Sequence, residues 1–458
     1  MLPVVLVFYN LLLAGVVLAV EKDQAWERVK RFQRQSKEQR QFSDEWIAHQ
    51  FNNKDGDHHY IYQSPCPCSD PQLCQPISSN DGFPIRTTGE VYGFAGGKEI
   101  GQNFNWTHIS TVAWANEDEL MCQAHKHNSR AVVATPSFNL THLAELNDKE
   151  RQSQIQEWID KTLSMVKSRH RDGVVFDYEG PLGEQSGEIQ AYVALINATR
   201  QAFHSKSSSP PLQVTTCVPW STNCIDGRCY PYRRLADVSD LVYVMDYDTQ
   251  SQITQGPCIA NANAPLAGMK QGILEYIRLG VDPAKIILGV PWYGYQYPCL
   301  EGTKLQDRFC PIPLKPFRGV DCSDAAGWEV PYSTLLSEWN TTLLVGDHHT
   351  PPEHSTTRTI MPRDDYMGAS YFNMMRERNG KQVVHQNWLD DPTSLSQKFT
   401  YAKSMQLGGV GPFQLGDLNP STQPKESQAM WAAFDSFFPD KDGDDEDTTP
   451  EAKLMAEQ

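Results

Sequence analysis

Positive charge is what this chain has too little of. Its 458 residues carry 40 Lys and Arg against 56 Asp and Glu, a formal net charge of −16. Binding to phosphate backbones rests on Lys and Arg, so nucleic acid is excluded as a partner class. The motifs of nucleotide chemistry are missing too: there is no phosphate loop and no dinucleotide fingerprint. A Gly-x-Ser-x-Gly elbow and sustained heptads are also absent, which removes serine-hydrolase and coiled-coil readings. His58-His59 and His348-His349 lie in polar stretches without a metal-site frame such as His-Glu-x-x-His, and no metal or other cofactor is expected. Asp440-Lys-Asp442-Gly443-Asp444 has its glycine at position four, whereas a calcium loop needs it at six.

Long apolar runs are scarce as well. One stretch, residues 2–20, is uncharged and mostly apolar, and Val17-Leu18-Ala19 ends it in the small-residue pattern that a signal peptidase cuts. Residues 1–19 therefore read as a signal peptide, and no membrane segment is expected after cleavage. The competing reading, an uncleaved anchor, rests on near-spanning length. Two features agree with a secretory route to the lysosome or the exterior. Asn105, Asn139, Asn197 and Asn340 each open an Asn-x-Thr glycosylation acceptor. Eleven cysteines suit an oxidising compartment, and the odd count leaves at least one outside the bridges. Cys66 and Cys68 are too close to bridge each other comfortably, so each is expected to seek another partner, while Cys299 and Cys310 could close a loop.

Residues 20–60 form a polar extension rich in Glu, Lys, Arg and Gln. At the other end, residues 439–458 read as an acidic, disordered tail. From Asp440 to Gln458 it has eight acids and two lysines, a net of −6. Between these ends, β-rich runs alternate with helical stretches. Candidate strands are Val91–Phe94, Ile109–Ala113, Ala131–Ala134, Gly173–Tyr178, Gln213–Val218, Leu241–Asp246, Ile286–Pro291 and Gly409–Phe413. Helix-like segments such as Arg151–Arg169 and Gly187–Phe203 separate them. Such alternation means βαβ units and a parallel sheet, and eight repeats suit an α/β fold of the closed (β/α)8 TIM-barrel type. The largest insertion, from about Tyr295 to Lys403, follows strand seven; within it, Asn379-Gly380 signals a hairpin turn.

The segment richest in chemistry is Asp172-Gly-Val-Val-Phe-Asp177-Tyr-Glu179. Side chains alternate along a strand, so Val175, Asp177 and Glu179 share one face. On strand four of a barrel, that face points inward, and Glu179 stands at the C-terminal mouth. Two carboxylates this close resist joint ionisation, so at least one should hold its proton to higher pH, as a general acid needs. A second strand ends in Met245-Asp-Tyr247-Asp248. There Met245 and Tyr247 share a face opposite Asp246 and Asp248, unless the strand has already ended. A third ends in Trp292-Tyr293-Gly-Tyr295, aromatics that could stack on sugar rings or form a buried core.

These segments resemble glycoside hydrolase family 18, whose strand-four motif is Asp-x-x-Asp-x-Asp-x-Glu. Asp172, Asp177 and Glu179 match it, and Val175 stands where the family has a third Asp. The family's Met-x-Tyr-Asp is matched by Met245, Tyr247 and Asp248. Longer stretches extend the likeness over residues 61–438, among them Cys66-Pro-Cys-Ser-Asp-Pro-Gln-Leu-Cys74, Arg228-Cys-Tyr230, Cys258-Ile-Ala-Asn-Ala-Asn-Ala-Pro265 and Pro316-Phe-Arg-Gly319. They point to the branch that splits the chitobiose core of Asn-linked glycans. The resemblance implies a monomeric glycosidase acting on β-1,4-linked N-acetylglucosamine by a retaining, substrate-assisted route. In that route Glu179 is the acid, Asp177 orients the acetamide, Tyr247 donates to its oxygen and Asp248 binds the sugar. Met245, Trp292, Tyr293 and Phe413 would complete the substrate site, Phe413 standing where the family usually has a flooring Trp. A sugar-binding lectin without hydrolysis and an endochitinase are the alternative readings.

Overall fold

The computed structural model describes residues 65–438, apart from 78–88, 97–99, 206–209, 252–256, 318–319, 346–360 and 379. The expected signal peptide, polar extension and acidic tail lie outside the described residues. Eight parallel strands close a barrel: β1 (Glu90–Phe94), β2 (Thr111–Ala113), β3 (Arg130–Ala134), β4 (Gly173–Phe176), β5 (Gln213–Pro219), β6 (Leu241–Met245), β7 (Ile286–Pro291) and, last in the chain, Gly409–Phe413. The last strand pairs with both β1 and β7, which completes the ring. Closure is tight there. A Cβ on Gly411 would stand 1.7 Å from the Tyr92 carbonyl oxygen, so only glycine lets these backbones meet.

Alternation along each strand sorts the side chains into two cores. Val175, Cys217, Tyr243, Val132 and Tyr92 fill the barrel, whereas Val174, Phe176 and Val218 pack outward against the helices. The helix Gly187–Phe203 spans the residues expected, capped by the Ser186 side chain, which accepts from the Ile189 N–H. Asp172 opens β4 as a buried structural group. It accepts from His125 Nε2 at 2.8 Å and from the backbone N–H groups of Ala131 and Ile77. Despite its burial, the His125 contact and these N–H donors hold its carboxyl below the usual range.

The excursion after β7 is a five-stranded antiparallel sheet in the order β10-β11-β12-β8-β9. Its members are β8 (Tyr293–Pro298), β9 (Trp328–Pro331), β10 (Arg363–Asp364), β11 (Ala369–Arg378) and β12 (Lys381–Leu389), so the last barrel strand is β13. The sheet begins at Tyr293, two residues earlier than expected, and ends at Leu389. The following helix, Pro392–Ser404, leads back to β13. Arg378 pairs with Lys381 at the end of the β11–β12 ladder, and Gly380 has φ +74°.

Five disulfides pin the loops: Cys66–Cys74, Cys68–Cys122, Cys224–Cys229, Cys258–Cys322 and Cys299–Cys310. Cys66 and Cys68 do take separate partners, Cys299 and Cys310 do close a loop, and the odd thiol is the buried Cys217. Among the described residues, no helix is long and apolar enough to cross a membrane.

Candidate active site

A cavity of about 600 Å³ opens at the C-terminal mouth of the barrel. β4 stops at Phe176, two residues earlier than expected, and the chain beyond keeps its alternation long enough to turn Asp177 and Glu179 into the cavity. Tyr178 turns the other way, against the outer core. The Asp177 Oδ1 atom is enclosed and has no hydrogen-bond partner, while the Cys217 thiol from β5 bonds to the same carboxyl. Burial, and then the charge of Glu179, push Asp177 up to about 7. The rise expected of the carboxylate pair thus falls on Asp177. Glu179 itself is 43% exposed, and its Oε2 accepts from Arg228 Nη1 at 3.0 Å.

β6 supplies the facing wall. It stops at Met245, one residue earlier than expected, so the alternation beyond it breaks. Asp246 turns into the interior, where burial pushes it up to about 7 with Lys398 opposing the rise. Met245, Tyr247 and Asp248 all line the cavity. Asp248 can do so because its backbone turns left-handed, at φ +54°, a conformation that Asp tolerates better than most residues. Its Oδ1 accepts from Tyr293 Oη at 2.6 Å and from Tyr295 Oη at 3.2 Å.

The floor is aromatic. Phe413 stacks on Tyr247 with ring centroids 5.4 Å apart and meets Trp114 edge-on at 5.5 Å. Phe94 packs against Trp114 and Phe413 from β1. One expected substrate contact must be corrected: Trp292 does not reach the cavity. It is 1% exposed and packs edge-on to Trp431 at 4.8 Å, in the outer core. The cause is register. The aromatic cluster bends from β7 into β8, so Tyr293 and Tyr295 turn to the cavity and Trp292 turns away.

Several lining residues carried no assignment from the sequence: Trp114, Cys217, Trp220, Arg228, Trp328 and Glu329. Arg228 lay in a recognised stretch, where a basic residue beside a cysteine could have marked it. Trp328 and Glu329 come from β9 in the insertion, far along the chain, and no local pattern announced them. Partial desolvation, and then the neighbouring carboxylates of Asp248, Asp324 and Asp417, raise Glu329 to about 7. The four glycosylation acceptors lie away from the mouth lining. Asn139, Asn197 and Asn340 are exposed and Asn105 is half-buried.

With this geometry in view, comparisons with known proteins identify the family. Residues 140–417 match the family model described as Glycosyl hydrolases family 18. The chain is 35% identical over 371 residues to the di-N-acetylchitobiase of Homo sapiens, covering 80% of this chain and 87% of that protein. It is 36% identical over 374 residues to that of Rattus norvegicus, covering 81% and 92%. Two solved structures share the fold. A class V chitinase from Nicotiana tobaccum in complex with NAG4 superposes with a TM-score of 0.56 at 16% identity, over 76% of this chain and 99% of that one. A chitinase-like agglutinin from Robinia pseudoacacia gives 0.51 at 18%, over 74% and 99%. The chain belongs to glycosyl hydrolase family 18 and is a glycoside hydrolase.

Proposed function

We propose that the protein hydrolyses β-1,4-linked N-acetylglucosamine, above all the chitobiose core of Asn-linked glycans, by a retaining mechanism in which the substrate's acetamide is the nucleophile. The observation that carries this reading is one pocket shared by Asp177, Glu179, Tyr247 and Asp248 at the barrel mouth. The family is an exception to the scheme in which a second carboxylate attacks the sugar. Consistent with that, Asp177 is better suited to accept a hydrogen bond than to attack. Its Oδ1 is enclosed by the barrel core, and the rest of its side chain lines the cavity, where a substrate N–H can meet it.

In the first step Glu179 gives its proton to the glycosidic oxygen, and the bond from C1 to that oxygen breaks. The carbonyl oxygen of the 2-acetamido group closes onto C1 and forms an oxazolinium ion. Asp177 accepts from the acetamide N–H and balances the positive charge growing there. The Tyr247 hydroxyl donates to the acetamide oxygen, and Asp248 holds the sugar by its hydroxyls. In the second step the Glu179 carboxylate takes a proton from water, and the hydroxide so generated attacks C1 and reopens the ring. Phe413 and Trp114 offer an aromatic floor, and Met245 and Tyr293 close the sides. Trp292 has no part in binding; it backs the β7–β8 bend from behind. Five disulfides support a lysosomal or secreted setting.

The test is product analysis. The protein is incubated with chitobiose and with chitotetraose at mildly acidic to neutral pH. Monosaccharide from chitobiose supports the reading. Cleavage of the tetramer alone would make it an endochitinase, and tight binding without cleavage would make it a lectin.

A further inference from the structure

The loop that follows β5 grips the chain on both sides of Glu179. The Cys224–Cys229 disulfide closes the loop. The Cys229 N–H donates to the Leu182 carbonyl at 3.0 Å, and Arg228 and Leu182 pair as an isolated bridge. The Tyr230 hydroxyl donates to the carbonyls of Tyr178, at 3.2 Å, and Gly180, the residues flanking Glu179. Inside this clamp lies Arg228, with its side chain 4% exposed. One arm reaches Glu179 Oε2 at 3.0 Å, and the other reaches Asp226 Oδ2 at 3.2 Å. The Tyr232 hydroxyl holds the Arg228 carbonyl. Among the described residues lining the cavity, Arg228 is the one Lys or Arg, against the carboxylates of Asp177, Glu179, Asp248, Asp324 and Glu329.

We propose that Arg228 is a positioning residue for Glu179: the disulfide-closed loop holds a buried guanidinium that fixes the acid's carboxyl group and compensates the charge left there once its proton has gone to the leaving group. The proposal rests on the reading of Glu179 as the acid. When the glycosidic bond breaks, Glu179 becomes a carboxylate beside a fixed cation in a partly water-excluded site, where the attraction exceeds its value in bulk water. When water attacks, Glu179 recovers its proton and the pair relaxes. A guanidinium suits this task because its charge is permanent and its planar fork is pre-organised.

The charge also reaches Asp177. The groups facing this cluster are Tyr92 from β1, Cys217 from β5, Tyr243 and Tyr247 from β6 and its continuation, and Tyr192 from the helix Gly187–Phe203, with Asp226, Tyr230 and Tyr232 on the loop itself. Burial keeps the phenols and the thiol in their neutral forms. Arg228 therefore acts on carboxylates, and it draws the proton off Asp177 at lower pH than burial and Glu179 alone would allow.

The experiment measures kcat and KM for chitobiose against pH in the full-length wild type, Arg228→Gln, Arg228→Lys, the double variant Asp226→Asn with Arg228→Gln, and Glu179→Gln. The double variant removes both buried charges, so it remains informative where the single change fails to fold; thermal unfolding establishes which variants are folded. Loss of Arg228 is expected to lower kcat about 10²-fold with KM nearly unchanged. It is also expected to move the alkaline limb of the pH profile upward, in the single and the double variant alike. Lysine should keep the limb near its wild-type place and recover part of kcat. A folded Gln variant with wild-type kcat and limb overturns the proposal. So does a loss of kcat with the limb unmoved, which marks a purely structural residue. If Glu179→Gln keeps wild-type turnover, the assignment of the acid falls first.

Discussion

Asp177 and Glu179 divide between them what a single carboxyl cannot do. Asp177, held by the Cys217 thiol and enclosed by the barrel core, keeps a proton until about pH 7. Glu179 reaches the open side of the cavity with Arg228 behind it. Val175, where the family has an acid, is fully buried in the inner core and offers no hydrogen bond, so Cys217 is the group that meets Asp177 from below. The sign of the pH effect follows. Below about 7 Asp177 holds a proton that it can hand on through Glu179 to the leaving group, becoming the carboxylate that then meets the acetamide N–H; above it Asp177 has already lost that proton. Turnover of chitobiose should therefore fall as pH rises through neutrality. A rate still climbing well above pH 7 would contradict the raised value at Asp177. The same shift acts on stability with the same sign. Ionising Asp177 costs more folded than unfolded, so its penalty is absent at pH below ~3.9 and grows as pH rises towards 7.

At the scale of elements, what was legible in the sequence is what periodicity encodes. Strand β7 and strand β13 carry the boundaries expected, and the others differ by one or two residues. The inward turn of Asp177 and Glu179 follows from alternation alone, since Val175 fixes the parity. What was not legible lies where alternation stops. The Trp292-Tyr293 pair straddles a change of sheet, and nothing local tells which ring faces the cavity. Asp248 faces the cavity only because its backbone turns left-handed, and the sequence left that possibility open. The position of Trp292 carries a prediction. Trp292→Ala removes a ring packed on Trp431 and Phe434, so it should cost about 3–5 kcal/mol of stability. KM of the folded protein should be unchanged. A stable variant with a raised KM would return Trp292 to the sugar site.

At the scale of the whole molecule, one barrel positions the chemistry and one insertion shapes its access. The floor comes from strands at opposite ends of the chain, Phe94 on β1 and Phe413 on β13, which meet only because the barrel closes. Such a floor is invisible to any local motif. The wall formed by Trp328 and Glu329 comes from the inserted sheet, and two disulfides, Cys258–Cys322 and Cys299–Cys310, tie the loops around it. The acidic tail beyond this body is expected to add nothing to it. Truncation after Pro439 should leave turnover and the thermal midpoint unchanged, and a clear loss of either would show that the tail packs on the barrel.

The central claim is that Glu179 supplies the proton, and one paired measurement tests it most directly. Turnover of an N-acetylglucosaminide with a poor leaving group is compared in the wild type and Glu179→Gln, beside a binding titration with chitobiose. Glutamine keeps the shape and removes the transferable proton, so hydrolysis should fall by ~10²–10⁴-fold. Binding should change little, because that proton matters mainly in the transition state. A Gln variant that cleaves at the wild-type rate would contradict the mechanism, and a wild type that binds chitobiose without cleaving it would contradict the activity itself.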